Sequence, residues 1–188
     1  MIIDKYKTIF IHIPKNAGTS IETLFANDSF RIQPNKHADI FEIKKKFKNS
    51  YNNYKKFTII RNPYDKMVSW YFFLKRNALE NVSVKCDIIE FNEWIKDPSK
   101  FWHTDDPISF LDPQHTWIDE TVSIIKYENL NKELNKFFKE KIDLPVTNKS
   151  NHEYYLNYYN EESLNIIYDR YKEDFEKYNY KLNTTIKG

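Results

Sequence analysis

A single glycine, Gly18, lies inside this chain of 188 residues; the other glycine of the sequence is the terminal Gly188. Average usage of ~7% would give about 13. A chain so poor in glycine has no multi-glycine phosphate loop: neither G-x-G-x-x-G nor G-x-x-x-x-G-K-[ST] occurs. Collagen-like and Gly/Ser-linker architectures are excluded as well. Wherever the backbone must pass very close to another group or take a positive φ, Gly18 is the one internal residue suited to it.

The alternation of segments sets the fold class. TIFIHI (Thr8 to Ile13) is β-branched and aromatic, and Pro14 stops it, so it reads as a strand. A helix is predicted from about Gly18 to Ala26, with a second short strand over Phe30 to Gln33 and a helix over Ala38 to Lys48. FTIIR (Phe57 to Arg61) is the next strand, and Asn62 with Pro63 starts a helix reaching Leu79. Phe91, Trp94 and Ile95 mark a short helix, and Ser99 to Trp117 is irregular. TVSIIK (Thr121 to Lys126) is a strand, followed by a helix carrying Leu130, Leu134, Phe137 and Phe138. After a loop from Lys141 to Asn151, Asn160 caps a long helix through Tyr178. No linker or repeat interrupts this order, so residues 1–188 read as one α/β domain. The expected architecture is three layers, with a central parallel sheet flanked by helices. Ligands of such sheets bind beyond the carboxyl ends of the strands, after Ile13, Arg61 and Lys126.

Composition narrows the function. With 40% apolar and 30% charged residues the chain is globular, and a formal charge of +2 does not suit a nucleic-acid binder driven by bulk charge. The lone Cys86 permits no internal disulfide and no cysteine-based metal site, and reads as a packed thiol. His12 and Lys15 cut short the first apolar run, and no stretch has the ~18–20 apolar residues of a membrane span, so a soluble, cytoplasmic protein is expected. Only four of the 29 basic residues are arginine, namely Arg31, Arg61, Arg76 and Arg170, which marks each as a candidate for a site needing a planar fork of donors.

Two clusters sit at the ligand edge of the predicted sheet. PKNAGTS (Pro14 to Ser20) joins a strand to a helix start, where backbone amides and a partial positive charge hold anions. Gly18 admits close approach, Lys15 brings a full charge, and Thr19 and Ser20 bring hydroxyls. RNPYDKMVS (Arg61 to Ser69) places an arginine at a strand end and a serine two helical turns later, a geometry suited to a second phosphate.

Together, IFIHIPKNAGTSIE and FTIIRNPYDKMVSWYFFL resemble the 5′-phosphosulfate loop and the 3′-phosphate motif of the sulfotransferases that use 3′-phosphoadenosine-5′-phosphosulfate (PAPS). The chain is most similar to the branch containing carbohydrate sulfotransferases and small bacterial members. Weaker similarity continues through KHADIFEIK, DPQHTW, IIKYENL and NKSNHEYY. The resemblance implies a P-loop-like fold and transfer of a sulfuryl group from PAPS to an acceptor hydroxyl, leaving PAP, without a metal. It implies that Lys15, Asn16, Ala17, Gly18, Thr19 and Ser20 hold the 5′-phosphosulfate, that Arg61 and Ser69 hold the 3′-phosphate, and that Ser150 touches the nucleotide.

Sulfuryl transfer is an in-line displacement that needs positioning, charge stabilisation and a base. Lys15 is the candidate for stabilising the leaving phosphate oxygen. Among five histidines, His37 matches a histidine of similar sequences and is the candidate base; His103 and His115 are its rivals, and His12, within the first strand, reads as a packed or supporting residue. The expected acceptor is a glycan or a small hydroxylated molecule that meets residues 83–117, where Trp102 and Trp117 are either sugar-stacking or core. Rival readings are a P-loop-like kinase or hydrolase, opposed by the absent G-K-[ST] ending, and a non-catalytic nucleotide-binding module.

Overall fold

β-branched residues on two strands build the centre of the sheet in the computed structural model, which describes residues 1–30, 37–80, 89–98, 111–145 and 152–181. The strands are β1 (Ile2–Ile3), β2 (Thr8–Ile11), β3 (Ser29–Phe30), β4 (Lys55–Ile60) and β5 (Ser123–Lys126), in the order β3-β1-β2-β4-β5. β2, β4 and β5 are parallel, with Phe10 opposite Phe57 and Ile59 opposite Ile125. β1 adds to β2 and β3 to β1 antiparallel, a margin that the strand–helix alternation does not announce because β1 is two residues long. The central strands are buried on both faces. Phe10, Phe57 and Ile59 point one way, Ile9, Ile11, Thr58 and Ile60 the other, and all are at most 1% exposed.

Contacts gather the chain into two compact units, Met1–Arg61 with Gln114–Lys149 and Asn62–Pro113 with Ser150–Gly188. The first holds the sheet and the helices α1 (Gly18–Leu24), α2 (Ile40–Lys46), α3 (Lys48–Asn53) and, later in the chain, α6 (Leu130–Phe138). Ile21 and Phe25, from α1 and its end, and Leu134 of α6 pack against Phe10, Phe57, Ile59 and Ile125. Asp39 caps α2 by accepting from the Glu42 amide at 2.7 Å. The single helix expected over Ala38 to Lys48 breaks at Phe47 (φ −128°, ψ 48°), just after Lys44, Lys45 and Lys46 have supplied the positive charge that suits a helix end.

The second unit is helical: α4 (Pro63–Leu79), α5 (Phe91–Lys96), α7 (Glu161–Arg170) and α8 (Lys172–Lys177). The start of α4 follows the sequence reading, since the Asn62 side chain accepts from the Tyr64 amide at 3.0 Å and Pro63 opens the first turn. Tyr64, Met67, Tyr71 and Leu74 pack with Phe91, Trp94, Leu164, Ile167, Tyr171 and Phe175. The tyrosines late in the chain divide. Tyr159 and Tyr171 are buried, while Tyr154 is 59% exposed. The long C-terminal helix is divided at Tyr171 (φ −117°), whose buried hydroxyl donates to the Leu111 carbonyl at 2.8 Å; this tertiary bond overrides a pattern that is periodic through Tyr178. Among the described residues no helix is long and apolar enough to cross a membrane.

One cation is locked into this second core. Lys66 is 2% exposed, with Nζ 3.3 Å from the Asp112 carbonyl and 5.7 Å from the Tyr171 ring centroid. Burial pushes its ammonium down to about 8, against the opposing pull of Asp174 and Asp112. Below pH 8 Lys66 is charged in both the folded and unfolded states, and burying that charge costs stability. Between about 8 and the ordinary lysine value of 10.5 the folded state sheds the proton first, so stability rises with pH. Above pH 10 the buried Tyr64, held up at about 12, works the other way, because the unfolded chain ionises first. Urea unfolding of the wild type is therefore expected to show increasing stability from pH 8 to 9.5, and Lys66→Met to lose that slope. An equal slope in the two proteins would remove Lys66 as its origin.

Candidate functional site

The PKNAGTS loop leaves β2 through buried His12, Ile13 and Pro14 and enters α1 at Gly18. Two of its residues are left-handed without being glycine, Lys15 at φ 68° and Ala17 at φ 60°. Such conformations cost roughly 1–2 kcal/mol each and persist where the surroundings over-determine them. Gly18 itself is not left-handed. Of the two roles expected for it, the positive φ is absent and close approach is what remains. A Cβ on Gly18 would lie 1.8 Å from Nε2 and 1.9 Å from Cδ2 of His12. The approaching group is thus the protein's own imidazole. Ala17 offers no side-chain cap to α1, Lys15 and Thr19 are half-buried, and Ser20 is 5% exposed. An uncapped helix start beside a lysine suits an anion.

A buried amide network holds the loop to the sheet. Asn16, fully buried, donates from Nδ2 to the Ile59 carbonyl at 2.7 Å and to Gln114 Oε1 at 2.7 Å. The same Gln114 oxygen accepts from the Arg61 amide at 3.0 Å, and Gln114 Nε2 donates to the Arg61 carbonyl at 2.9 Å. Gln114 is 0% exposed and sits on a 3-10 turn over Gln114–Trp117. In the sequence Gln114 stands within DPQHTW, and a glutamine bracketed by proline and a tryptophan is its only signal. Asn16 Oδ1 is buried and has no hydrogen-bond partner among the described residues.

Arg61 follows β4 directly and is 5% exposed. Its guanidinium donates from Nη1 to the Lys15 carbonyl at 3.1 Å and stacks on Tyr127, with Cζ 4.2 Å from the ring centroid. Arg61 therefore fixes the carbonyl of the left-handed Lys15. Ser69 is 4% exposed on α4, within the second unit. Trp117 is 5% exposed, a buried residue. Ser150, Trp102, His103, Arg31 and Cys86 lie outside the described residues.

The histidines divide clearly. His12 and His37 are neighbours, with ring centroids 4.4 Å apart. His37 Nδ1 lies 3.1 Å from the His12 carbonyl. A carbonyl only accepts, so Nδ1 carries the proton and neutral His37 has its lone pair on Nε2, the arrangement a general base requires. His12 Nδ1 meets Glu22 Oε1 at 2.9 Å, and both side chains are almost fully buried, at 4% and 5% exposure. His115 is half-buried on the Gln114–Trp117 turn, and His152 stacks on Phe72 in the second unit. Among the described residues no group of three or more His, Cys, Asp or Glu is placed to hold a metal ion.

Comparison with known proteins adds one positive result. A family model described as "Sulfotransferase family" matches residues 1–181. No curated protein and no solved structure matches the chain.

The packing of His12 on Gly18 sets an expectation for Gly18→Ala. Helix propensity alone would favour alanine by roughly 1 kcal/mol. Displacing a buried imidazole from its carboxylate should cost about 1–3 kcal/mol and outweigh that gain. A lower Tm by differential scanning fluorimetry is expected; an unchanged or raised Tm would show that His12 yields freely.

Proposed function

The chain belongs to the sulfotransferase family, and we propose that it moves the sulfuryl group of PAPS to a hydroxyl on a carbohydrate acceptor by metal-independent in-line transfer. The observation that carries this reading is the strained loop of Lys15 to Ala17. Arg61 and the Asn16–Gln114 amides hold it at the end of the parallel strands. Energy stored in a loop at the ligand edge of a sheet is characteristic of a preorganised site.

PAPS supplies the sulfuryl group and a phosphate leaving group. In this reading the amides of residues 15–20, with Lys15, Thr19 and Ser20, grip the 5′-phosphosulfate. Lys15 neutralises charge growing on the phosphate oxygen as the sulfur–oxygen bond breaks. Arg61 and Ser69, with Ser150, take the 3′-phosphate and the nucleotide. His37 Nε2 removes the acceptor's hydroxyl proton as its oxygen bonds to sulfur. The balance is one acceptor hydroxyl and PAPS giving one sulfate ester, PAP and a proton on His37. No step calls on a metal.

Two measurements test it. At 100 times its dissociation constant, PAP should stabilise the protein by about 2.7 kcal/mol without metal, a rise in Tm of roughly 5–10 °C. Arg61→Ala should abolish most of that rise. Indifference to PAP together with stabilisation by ATP only when magnesium is present would overturn the reading in favour of a nucleotide kinase or hydrolase. His37→Ala should keep the PAP response and lower turnover on a carbohydrate acceptor by about 10²–10⁴-fold. Undiminished turnover would transfer the base to His103 or His115.

A further inference from the structure

Beside His37 lies a buried histidine–glutamate pair, His12 with Glu22, that takes no part in the proposed transfer. Gly18 and Glu22 are four residues apart on α1 and therefore share one face of the helix. The His12 ring fills the socket between them. It lies on Gly18 where a side chain would begin, and its Nδ1–H donates to the Glu22 carboxylate at 2.9 Å. Its ring centroid lies 4.4 Å from that of His37, and its own carbonyl accepts from His37 Nδ1 at 3.1 Å. One residue thus touches both the helix that begins at the anion loop and the histidine that follows from a distant segment.

A buried carboxylate and imidazole are costly to desolvate, and packing alone would be served as well by two apolar side chains. What a hydrogen-bonded clamp adds is a fixed ring orientation. We propose that Glu22 and His12 are positioning residues for His37, holding its imidazole as the Nδ1–H tautomer at a set distance from the PKNAGTS loop. Neither touches the reacting atoms. Glu22 orients the His12 ring, the ring supports the His37 plane, and the His12 carbonyl accepts a hydrogen bond from Nδ1–H, which keeps the proton on Nδ1 and the lone pair on Nε2. The inference rests on the reading of His37 as the base.

Imidazole ¹⁵N spectra of the full chain provide a readout that a purely structural role would not move. In the wild type His37 should show a protonated Nδ1 and an unprotonated Nε2 at neutral pH. In Glu22→Leu the His37 signals should move to a mixture of tautomers, and kcat should fall by about 10–100-fold, the order expected of a base misplaced by ~1 Å. The PAP-induced rise in Tm should stay. Glu22→Gln, whose amide oxygen still accepts from Nδ1–H, should restore the tautomer and most of kcat. Where Glu22→Leu does not fold, the apolar pair His12→Phe with Glu22→Leu fills the socket without the clamp and should show the same mixed tautomers and reduced kcat. An unchanged His37 tautomer and unchanged kcat in either variant would overturn the inference, even with His37→Ala inactive. An active His37→Ala would instead sink the assignment of the base itself.

Discussion

The first unit depends on one buried carboxamide. Gln114 satisfies both the amide and the carbonyl of Arg61 at the point where the β4 ladder runs out, and the oxygen that meets the Arg61 amide also accepts a hydrogen bond from Asn16 Nδ2. Each of these backbone groups, left unpaired in the interior, would cost about 1–3 kcal/mol. The three residues are far apart in the chain, so the clasp forms only when the loop after β2, the end of β4 and the 3-10 turn before β5 have all arrived. It is a condition on the whole sheet. Once met, it delivers Arg61 buried against Tyr127 with its guanidinium on the Lys15 carbonyl. The left-handed turn of the loop is thereby held from two sides, by Asn16 within the loop and by Arg61 from the neighbouring strand.

Much of this was legible in residues that act locally. The three parallel strands announce themselves by β-branched runs, and α4 by Asn62 and Pro63, whose capping needs nothing beyond the next two residues. The placement of positions 15–20 between a strand and a helix start, and of Arg61 at the end of the next strand, was legible too. What stayed hidden depends on partners brought from elsewhere. Gln114 has no local signature, since its meaning lies in the peptide of Arg61 and the side chain of Asn16. The break at Tyr171 follows from a bond to Leu111, which no helical period encodes. The two-residue β1 carries too few side chains to show a period of two at all.

The pairing of His12 with Glu22 shows the same limit from the other side. His12 reads as part of the first strand, and Glu22 falls within the predicted helix, where periodicity places it on one face with Gly18. Nothing in sequence says that a histidine ten residues before Glu22 fills the face between them. That fact required the crossing of β2 and α1, and with it the contact to His37.

The scarcity of glycine acquires a physical meaning through this socket. A loop of this kind needs two things that glycine provides most cheaply, positive φ and open space next to the backbone. The chain has one internal glycine, and the requirements fall at different positions. Open space is needed at residue 18, where the His12 ring comes within 1.8 Å of a Cβ position, and any other residue type would have to displace that ring. Positive φ is needed at residues 15 and 17, where it is unfavourable for lysine and alanine but not forbidden. Displacing the His12 ring costs about 1–3 kcal/mol, at least as much as the roughly 1–2 kcal/mol of left-handed strain per residue, so the glycine lies where the contact is closest. The strain is left at Lys15, whose carbonyl Arg61 holds, and at Ala17, next to Asn16, which Gln114 holds. The buried network around the loop is the counterpart of that choice: without glycine at 15 and 17, the turn has to be held by its neighbours.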